Sequence, residues 1–292
     1  MEKKLRVAVL GYTGMLGHML TTRMEGKYEL ILCGRTKNSE LIGVNEYLNF
    51  NIDNLPVFFN ELEKCNIDVI VNCIGVLVAE SERDIKMAIK INSLLPHELS
   101  EFGNRRGIKL IHISTDCVFS GKSNFFYSPE DTHNAEDPYG KTKSLGEAID
   151  KNALVLRTSI IGPDIRENSQ GLFNWVCSNN NKTIVGFRNV LWSGVTTLYL
   201  ADTIIHYIEN FKIGLIQVSN NASISKYSLI VLIDEIFQLS LDLVGKTEKI
   251  SSKCMFCSST HDLPVPNYES MLTDLSLFMY SQERYKSYFI YN

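Results

Sequence analysis

The N-terminal segment Leu5–Gly17 constrains this chain most. A short, mostly apolar run, Leu5–Leu10, passes at once into Gly11-Tyr-Thr-Gly-Met-Leu-Gly17, and an apolar helical stretch follows. Such a run, bounded by glycine, reads as a strand buried on both faces of a parallel sheet. The G-x-x-G-x-x-G spacing allows a tight turn. It also lets backbone N–H groups approach a pyrophosphate and lets the next helix pack closely on the strand. A strand before the loop and a helix after it are the context that a dinucleotide-binding loop requires. Gly11, Thr13, Gly14, Met15, Leu16 and Gly17 are therefore expected to line a dinucleotide.

The pattern repeats down the chain. Leu30–Cys33, Val69–Ile74, Leu110–Ile113 and Leu154–Leu156 are further short apolar runs. Between them lie the helix-like stretches Leu55–Lys64, Glu82–Phe102 and Tyr139–Ile149. Alternation of this kind predicts an α/β fold, a doubly wound parallel (Rossmann) sheet. After Arg157 the pattern changes. Ile161–Gly171 is polar, Leu172–Cys177 and Thr197–Asn210 read as helices, Leu215–Val218 as a late strand, and Ser228–Leu239 as a helix. We expect a dinucleotide-binding domain over 1–160 and a smaller α/β substrate-binding lobe over 161–292, with about 190–218 returning to the first domain.

Composition narrows the function. With 292 residues and 45% hydrophobic content, the chain can bury a sizeable core, which excludes disorder as its main state. The 29 Lys and Arg against 33 Asp and Glu leave a net charge of −4, which argues against a nucleic-acid partner. No apolar run reaches the ~18–20 residues that span a bilayer, so no membrane partner is expected. The charged start Met1-Glu-Lys-Lys-Leu-Arg precedes a run too short for a signal peptide. Seven irregularly spaced cysteines fit a reducing compartment, and a cytoplasmic location is expected.

Three further constellations carry chemistry. The second strand ends in Cys33-Gly-Arg-Thr-Lys37, with no acid to hold a ribose 2′-hydroxyl; Arg35 and Lys37 suit a 2′-phosphate instead. NADP is thus expected ahead of NAD, with Arg35 as main determinant. Tyr139-Gly-Lys-Thr-Lys143 begins a helix, and residues four apart share a helical face. An ammonium beside a phenol lowers its pKa, so Tyr139 and Lys143 could exchange a proton with a reacting oxygen, while Lys141 lies off that face. Ser114-Thr-Asp116 ends a strand, where open α/β sheets bind ligands, and a hydroxyl there can hold a carbonyl oxygen. Taken alone, it reads as a turn that caps itself; taken with Tyr139 some 24 residues on, it reads as part of a site.

Together these motifs resemble the extended short-chain dehydrogenase/reductases, and among them the dTDP-4-dehydrorhamnose reductases and related nucleotide-sugar reductases. The matching pieces are Gly11–Gly17, Val71-Asn-Cys-Ile-Gly75, Ile91-Asn92, His112-Ile-Ser-Thr-Asp-Cys-Val-Phe119, Tyr139–Lys143 with Gly146-Glu147, and Leu156-Arg-Thr-Ser159. The resemblance implies a Thr115–Tyr139–Lys143 triad, with Tyr139 as proton donor and Lys143 as its tuner and a ribose ligand. It places Cys73, Ile74, Gly75 and Asn92 along the cofactor and Asn51 and Ile52 near adenine. Thr158–Ile161 would border the nicotinamide and substrate, and Val76, Asp116, Cys117, Ile160 and Trp192 would touch the substrate. Trp192 could equally be core packing.

The implied activity is NADPH-dependent reduction of a nucleotide-linked keto-deoxysugar, at the 4-keto group, in cell-surface polysaccharide precursor synthesis; a homodimer would be usual. A nucleotide-sugar epimerase of the same fold and a non-catalytic NADP-binding subunit are the alternatives. Cys117 stands where related dehydratases carry a catalytic Glu, which disfavours dehydration. Val76-Leu-Val-Ala79 and Arg188–Thr196 depart from the reductase pattern and leave the sugar open. Cys254-x-x-Cys257 with His261 offers too few local ligands for a structural zinc, and no metal is expected. His112 reads as a core histidine and His18 as an exposed one. Asp84 and Lys86 read as a solvated helix face, and the aromatics of Leu277–Tyr291 as a core or subunit seal.

Overall fold

The computed structural model describes residues 4–42, 45–123, 125–147, 152–166 and 171–289. The charged start at 1–3, the expected helix end at Ile149 and the aromatic Tyr291 lie outside the described residues. The chain folds into two compact units, 1–120 with 132–157 and 201–216, and 121–131 with 158–200 and 217–292. The break near 160 thus falls between Arg157 and Thr158, and 201–216 belongs with the first unit.

The first unit is built on β1 (Arg6–Leu10), α1 (Met15–Met24), β2 (Glu29–Gly34), β3 (Glu46–Asn49), α2 (Leu55–Lys64) and β4 (Val69–Asn72). It continues with α3 (Val78–Arg83), α4 (Ile85–Ala88), a π-helical turn (Ile89–Leu94), α5 (Leu95–Arg106), β5 (Lys109–Thr115), α6 (Pro138–Leu145) and β6 (Ala153–Thr158). α7 (Thr197–Glu209) and β7 (Gly214–Val218) come later in the chain. The central sheet has seven strands in the order β7-β6-β5-β4-β1-β2-β3. β1 pairs in parallel with both β2 and β4, so the strand order reverses there. Ligands of open α/β sheets bind at the strand C-termini of such a reversal. On one face, Phe58 and Leu62 of α2 and Leu95, Leu99 and Phe102 of α5 close a dry core with Ala8, Leu10, Ile31 and Ile70. Burying one such side chain is worth about 1.5–3 kcal/mol. α7 is tied to this unit by Arg23–Asp202 at 2.7 Å and by the Tyr28 hydroxyl donating to Glu209 at 2.7 Å.

Two features depart from the sequence expectation. β3 was not foreseen, because Glu-Tyr-Leu-Asn is a short edge strand with both ends exposed and no apolar run. The helix expected over Glu82–Phe102 is broken. Asp84 caps α4, its carboxylate accepting from Met87 N–H at 3.0 Å. Pro96 then lacks the N–H that Asn92 C=O would need, and its ring crowds that carbonyl. The chain answers with the π turn, and the Asn92 carbonyl faces Gly146, where a Cβ would lie 1.8 Å away.

The second unit is a set of small sheets with helices Leu172–Ser178, Lys226–Ile236 and Tyr268–Tyr280. Thr183–Phe187 pairs in parallel with Asp242–Lys246. Val190–Trp192 lies between Ile224–Ser225 and Ser251–Ser252, and Ile160–Ile161 pairs with Val195–Thr196. The helix Tyr268–Tyr280 buries Met271, Leu272, Leu275 and Met279. Its pattern was illegible because Leu277 and Tyr280, on the other side, are exposed apolar residues. Tyr285 is fully buried, so at least one aromatic of that stretch seals a core. Among the described residues no helix is long and apolar enough to cross a membrane.

Candidate functional site

The glycine loop has the shape its spacing demands. Gly11 adopts φ +78°, open to glycine at little cost, and its N–H donates to Cys33 C=O at 2.9 Å. Gly17 lies against the same turn: a Cβ there would sit 2.1 Å from Gly11 O, so only glycine lets α1 approach β1 so closely. Gly14 caps α1 without a side-chain bond, which leaves the helix N-terminus as a backbone cradle for an anion. Thr13, Gly14 and Met15 are partly exposed on this cradle, and Leu16 is buried behind it. The Cys73 N–H donates to Leu10 C=O at 3.0 Å, and a Cβ on Gly11 would meet Ile74 at 3.0 Å. The loops after β1 and β4 thus meet at the strand-order reversal.

Tyr12, between the glycines, holds the turn after β2. Its hydroxyl donates to Thr36 C=O at 3.0 Å and accepts from Asn38 N–H at 2.7 Å, while its fully buried ring packs on Gly34. This residue was missed; its one sequence signal was an aromatic inside a glycine loop. Arg35 and Lys37 on that turn are exposed. Asn51 is exposed and caps the short turn after β3, accepting from Asp53 N–H at 3.0 Å; Ile52 packs partly on the core.

Asn92, expected along the cofactor, spends its side chain on protein partners. Its Oδ1 accepts from Val76 N–H at 2.8 Å, and its Nδ2 donates to Val76 C=O at 2.9 Å and to Thr142 Oγ1 at 3.1 Å. It therefore ties the Cys73–Val76 loop to α6. Gly75 is exposed and Val76 packs partly on the core.

α6 starts at Pro138, and Asp137 caps it by accepting from Gly140 N–H at 2.8 Å. That cap, also missed, sets where Tyr139 leaves the helix. Lys141 is exposed, Tyr139 is partly buried and Lys143 is buried. α6 packs on the end of β5, which carries Thr115. Thr115 Oγ1 accepts from Cys117 N–H at 3.1 Å and donates to the buried Asp116 at 3.1 Å, so the strand end caps itself. Lys143 Nζ donates to Ile113 C=O at 2.6 Å and lies 3.4 Å from His112 Nε2. The expectation that Lys143 lowers the phenol pKa is not met. Burial, then the neighbouring Cys117, Asp116 and Asp137, push Tyr139 up, and Thr115 opposes them. Burial likewise depresses Lys143, to about 8, against the pull of Glu147 and Cys73. Desolvation disfavours the charged form of each.

Ser114 takes no free part in this site. It donates to Glu147 at 2.7 Å, and Glu147 is held in turn by the buried Arg157 at 2.6 Å. His18, expected at the surface, is fully buried, because α1 packs that side chain inward with its Nδ1 2.8 Å from Gly14 O. His112 is a buried strand histidine.

In the second unit, Ile160 is partly buried. Trp192 is 5% exposed; its indole N–H donates to Ser159 at 2.9 Å and its ring packs on Tyr268, so of its two expected roles it takes that of core packing. His261 bonds Tyr199 at 2.9 Å, and among the described residues no cluster of His, Cys, Asp and Glu could hold a metal ion.

The seven-stranded sheet and the glycine cradle define a Rossmann-fold protein. The family model described as RmlD substrate binding domain matches residues 5–242, and the chain belongs to that family. A Haloferax volcanii protein named "Probable low-salt glycan biosynthesis reductase Agl14" is 30% identical over 40% of this chain and 41% of its own. The dTDP-4-dehydrorhamnose reductase of Aggregatibacter actinomycetemcomitans is 26% identical over 53% and 51%. The chain thus spans about half the length of the curated relatives it matches. The dTDP-4-dehydrorhamnose reductase of Bacillus anthracis, solved in complex with NADP, superposes with TM-score 0.79 over 94% of this chain and 99% of its own; at 18% identity the likeness is one of fold.

Proposed function

We propose that this protein is an NADPH-dependent oxidoreductase that reduces the 4-keto group of a nucleotide-linked deoxysugar, in the making of cell-surface polysaccharide precursors. The observation that carries this reading is the placing of Tyr139 and the buried Lys143, four residues apart, on the helix α6 that packs on the strand end carrying Thr115. The glycine cradle fits a pyrophosphate, and Arg35 and Lys37 on the β2 turn fit a 2′-phosphate. The related Bacillus anthracis protein holds NADP on this fold.

When bound, NADPH supplies the hydride. The chain's own residues handle the oxygen. Thr115, its O–H turning from Asp116, orients the carbonyl by a hydrogen bond, and Tyr139 passes its phenol proton to that oxygen as negative charge develops. A phenol that keeps its proton in the resting protein is the form reduction needs, and burial pushes Tyr139 up. Lys143, depressed to about 8, can return a proton to Tyr139 near neutral pH.

A panel of nucleotide-linked 4-keto-sugars, followed by NADPH absorbance, tests the proposal: stoichiometric oxidation supports it. Sugar interconversion without net oxidation would make the protein an epimerase. Arg35→Ala should weaken NADPH binding by about tenfold or more, the worth of a charge-assisted hydrogen bond, and leave NADH nearly unchanged. Equal loss for both would remove Arg35 as the selector.

A further inference from the structure

His112 has no place in the proton transfer from Tyr139, yet it is buried beside Lys143. Among the described residues two groups bond Lys143 Nζ: Ile113 C=O at 2.6 Å and His112 Nε2 at 3.4 Å. What His112 can offer is set from behind. Asn72 and His112 are register partners on the parallel strands β4 and β5. The backbone N–H of Ile74 donates to Asn72 Oδ1 at 3.1 Å. A backbone N–H can only donate, so it orients the amide, and Asn72 Nδ2 is turned to His112 Nδ1 at 3.1 Å. Nδ1 is thereby an acceptor, and the neutral ring carries its proton on Nε2. An Nε2–H opposes an ammonium, which has three donors and no acceptor, but bonds the lone pair of an amine.

We propose that His112 is a positioning residue for Lys143: held as the neutral Nε2–H tautomer by Asn72 and the Ile74 backbone, it seats Nζ and favours its amine form. The role rests on the reading of Lys143 as part of a proton-transfer site.

The surroundings agree. Burial, Lys143 and His97 hold His112 well below the usual imidazole range, so the ring stays neutral. The titratable groups acting on Lys143 are Cys73 after β4, Glu147 after α6 and His112. Cys73 is pushed up to about 12 by burial and carries no charge at neutral pH. Glu147 is engaged by Arg157 at 2.6 Å. His97 on α5 bonds Leu145 C=O at 2.7 Å. An amine whose proton exchanges near neutral pH can serve as a relay, whereas an ordinary lysine ammonium would keep its proton.

The tautomer is read directly by imidazole 15N NMR on the intact wild-type protein. A neutral Nε2–H ring for His112 from about pH 6 to about pH 8 is expected; an Nδ1–H tautomer or a charged ring would overturn the proposal. A second measurement follows the 13Cε signal of labelled lysine, assigned to Lys143 by its loss in Lys143→Arg. His112→Leu removes the N–H, and Asn72→Leu frees the ring to present an acceptor. Each should raise the Lys143 midpoint by about one pH unit, tenfold more ammonium at a given pH. An unchanged midpoint in both would sink the idea. In the His112→Leu protein the alkaline limb of kcat/KM should move up with it. If no keto-sugar is reduced, the NMR results still decide the role of His112, so the two readings fail separately.

Discussion

Tyr139→Phe should lower turnover by about 10²–10⁴-fold, the usual worth of a positioned acid, while dinucleotide binding survives. The substitution keeps the ring and its packing and removes only the O–H. Thr115 retains its bonds to Asp116 and to Cys117 N–H, both at 3.1 Å, so the strand end keeps its shape. The pyrophosphate cradle lies on a different loop, Gly11–Gly17, and does not depend on the phenol. The check is kcat from NADPH oxidation beside a dissociation constant from quenching of NADPH fluorescence. A loss below about tenfold would take Tyr139 out of the proton transfer. Lost NADPH binding would mean that the ring, rather than its hydroxyl, is what the site needs.

Arg157→Leu should destabilise the protein by about 3–5 kcal/mol, the cost of leaving a buried charge without its partner. The Arg157 side chain is 2% exposed and that of Glu147 5%. The guanidinium meets the carboxylate in two bonds, Nε to Oε1 at 2.9 Å and Nη2 to Oε2 at 2.6 Å. It also lies over the Phe119 ring at 5.2 Å. Glu147 accepts from Ser114 at 2.7 Å, so the pair supports the strand end that carries Thr115. The variant Glu147→Leu/Arg157→Leu should recover a large part of the loss, since both charges leave together. Urea unfolding of the two variants measures this. A single variant no weaker than the double one would show that the carboxylate is solvated or otherwise compensated.

Local pattern carried a good part of the first unit. α2 runs from Leu55 to Lys64 as its apolar spacing and Pro56 indicate, and the apolar runs became β1, β2, β4, β5 and β6. Gly11–Gly17 was legible because its requirements are steric and local: a positive φ and a close approach that no side chain permits. Other features were not local. The break in Glu82–Phe102 depends on Asn92 C=O turning to Gly146, far along the chain. His18 was placed at the surface because its own helix could not show what covers it. Trp192 offered no sign of whether Ser159 and Tyr268 would enclose it, as they do.

The amino-acid sequence by itself determined the strand–helix alternation, the glycine cradle and a tyrosine and a lysine four apart on one helix. Those follow from periodicity and from the shapes single residues can adopt. Only the tertiary structure decided the surroundings of the pair. It buries Lys143 and half-buries Tyr139, which depresses the amine and raises the phenol, and it sets Asn72 beside His112 across two parallel strands. The physical reason is that desolvation and cross-strand hydrogen bonds depend on which distant segments exclude water from a group, and no spacing along the chain encodes that.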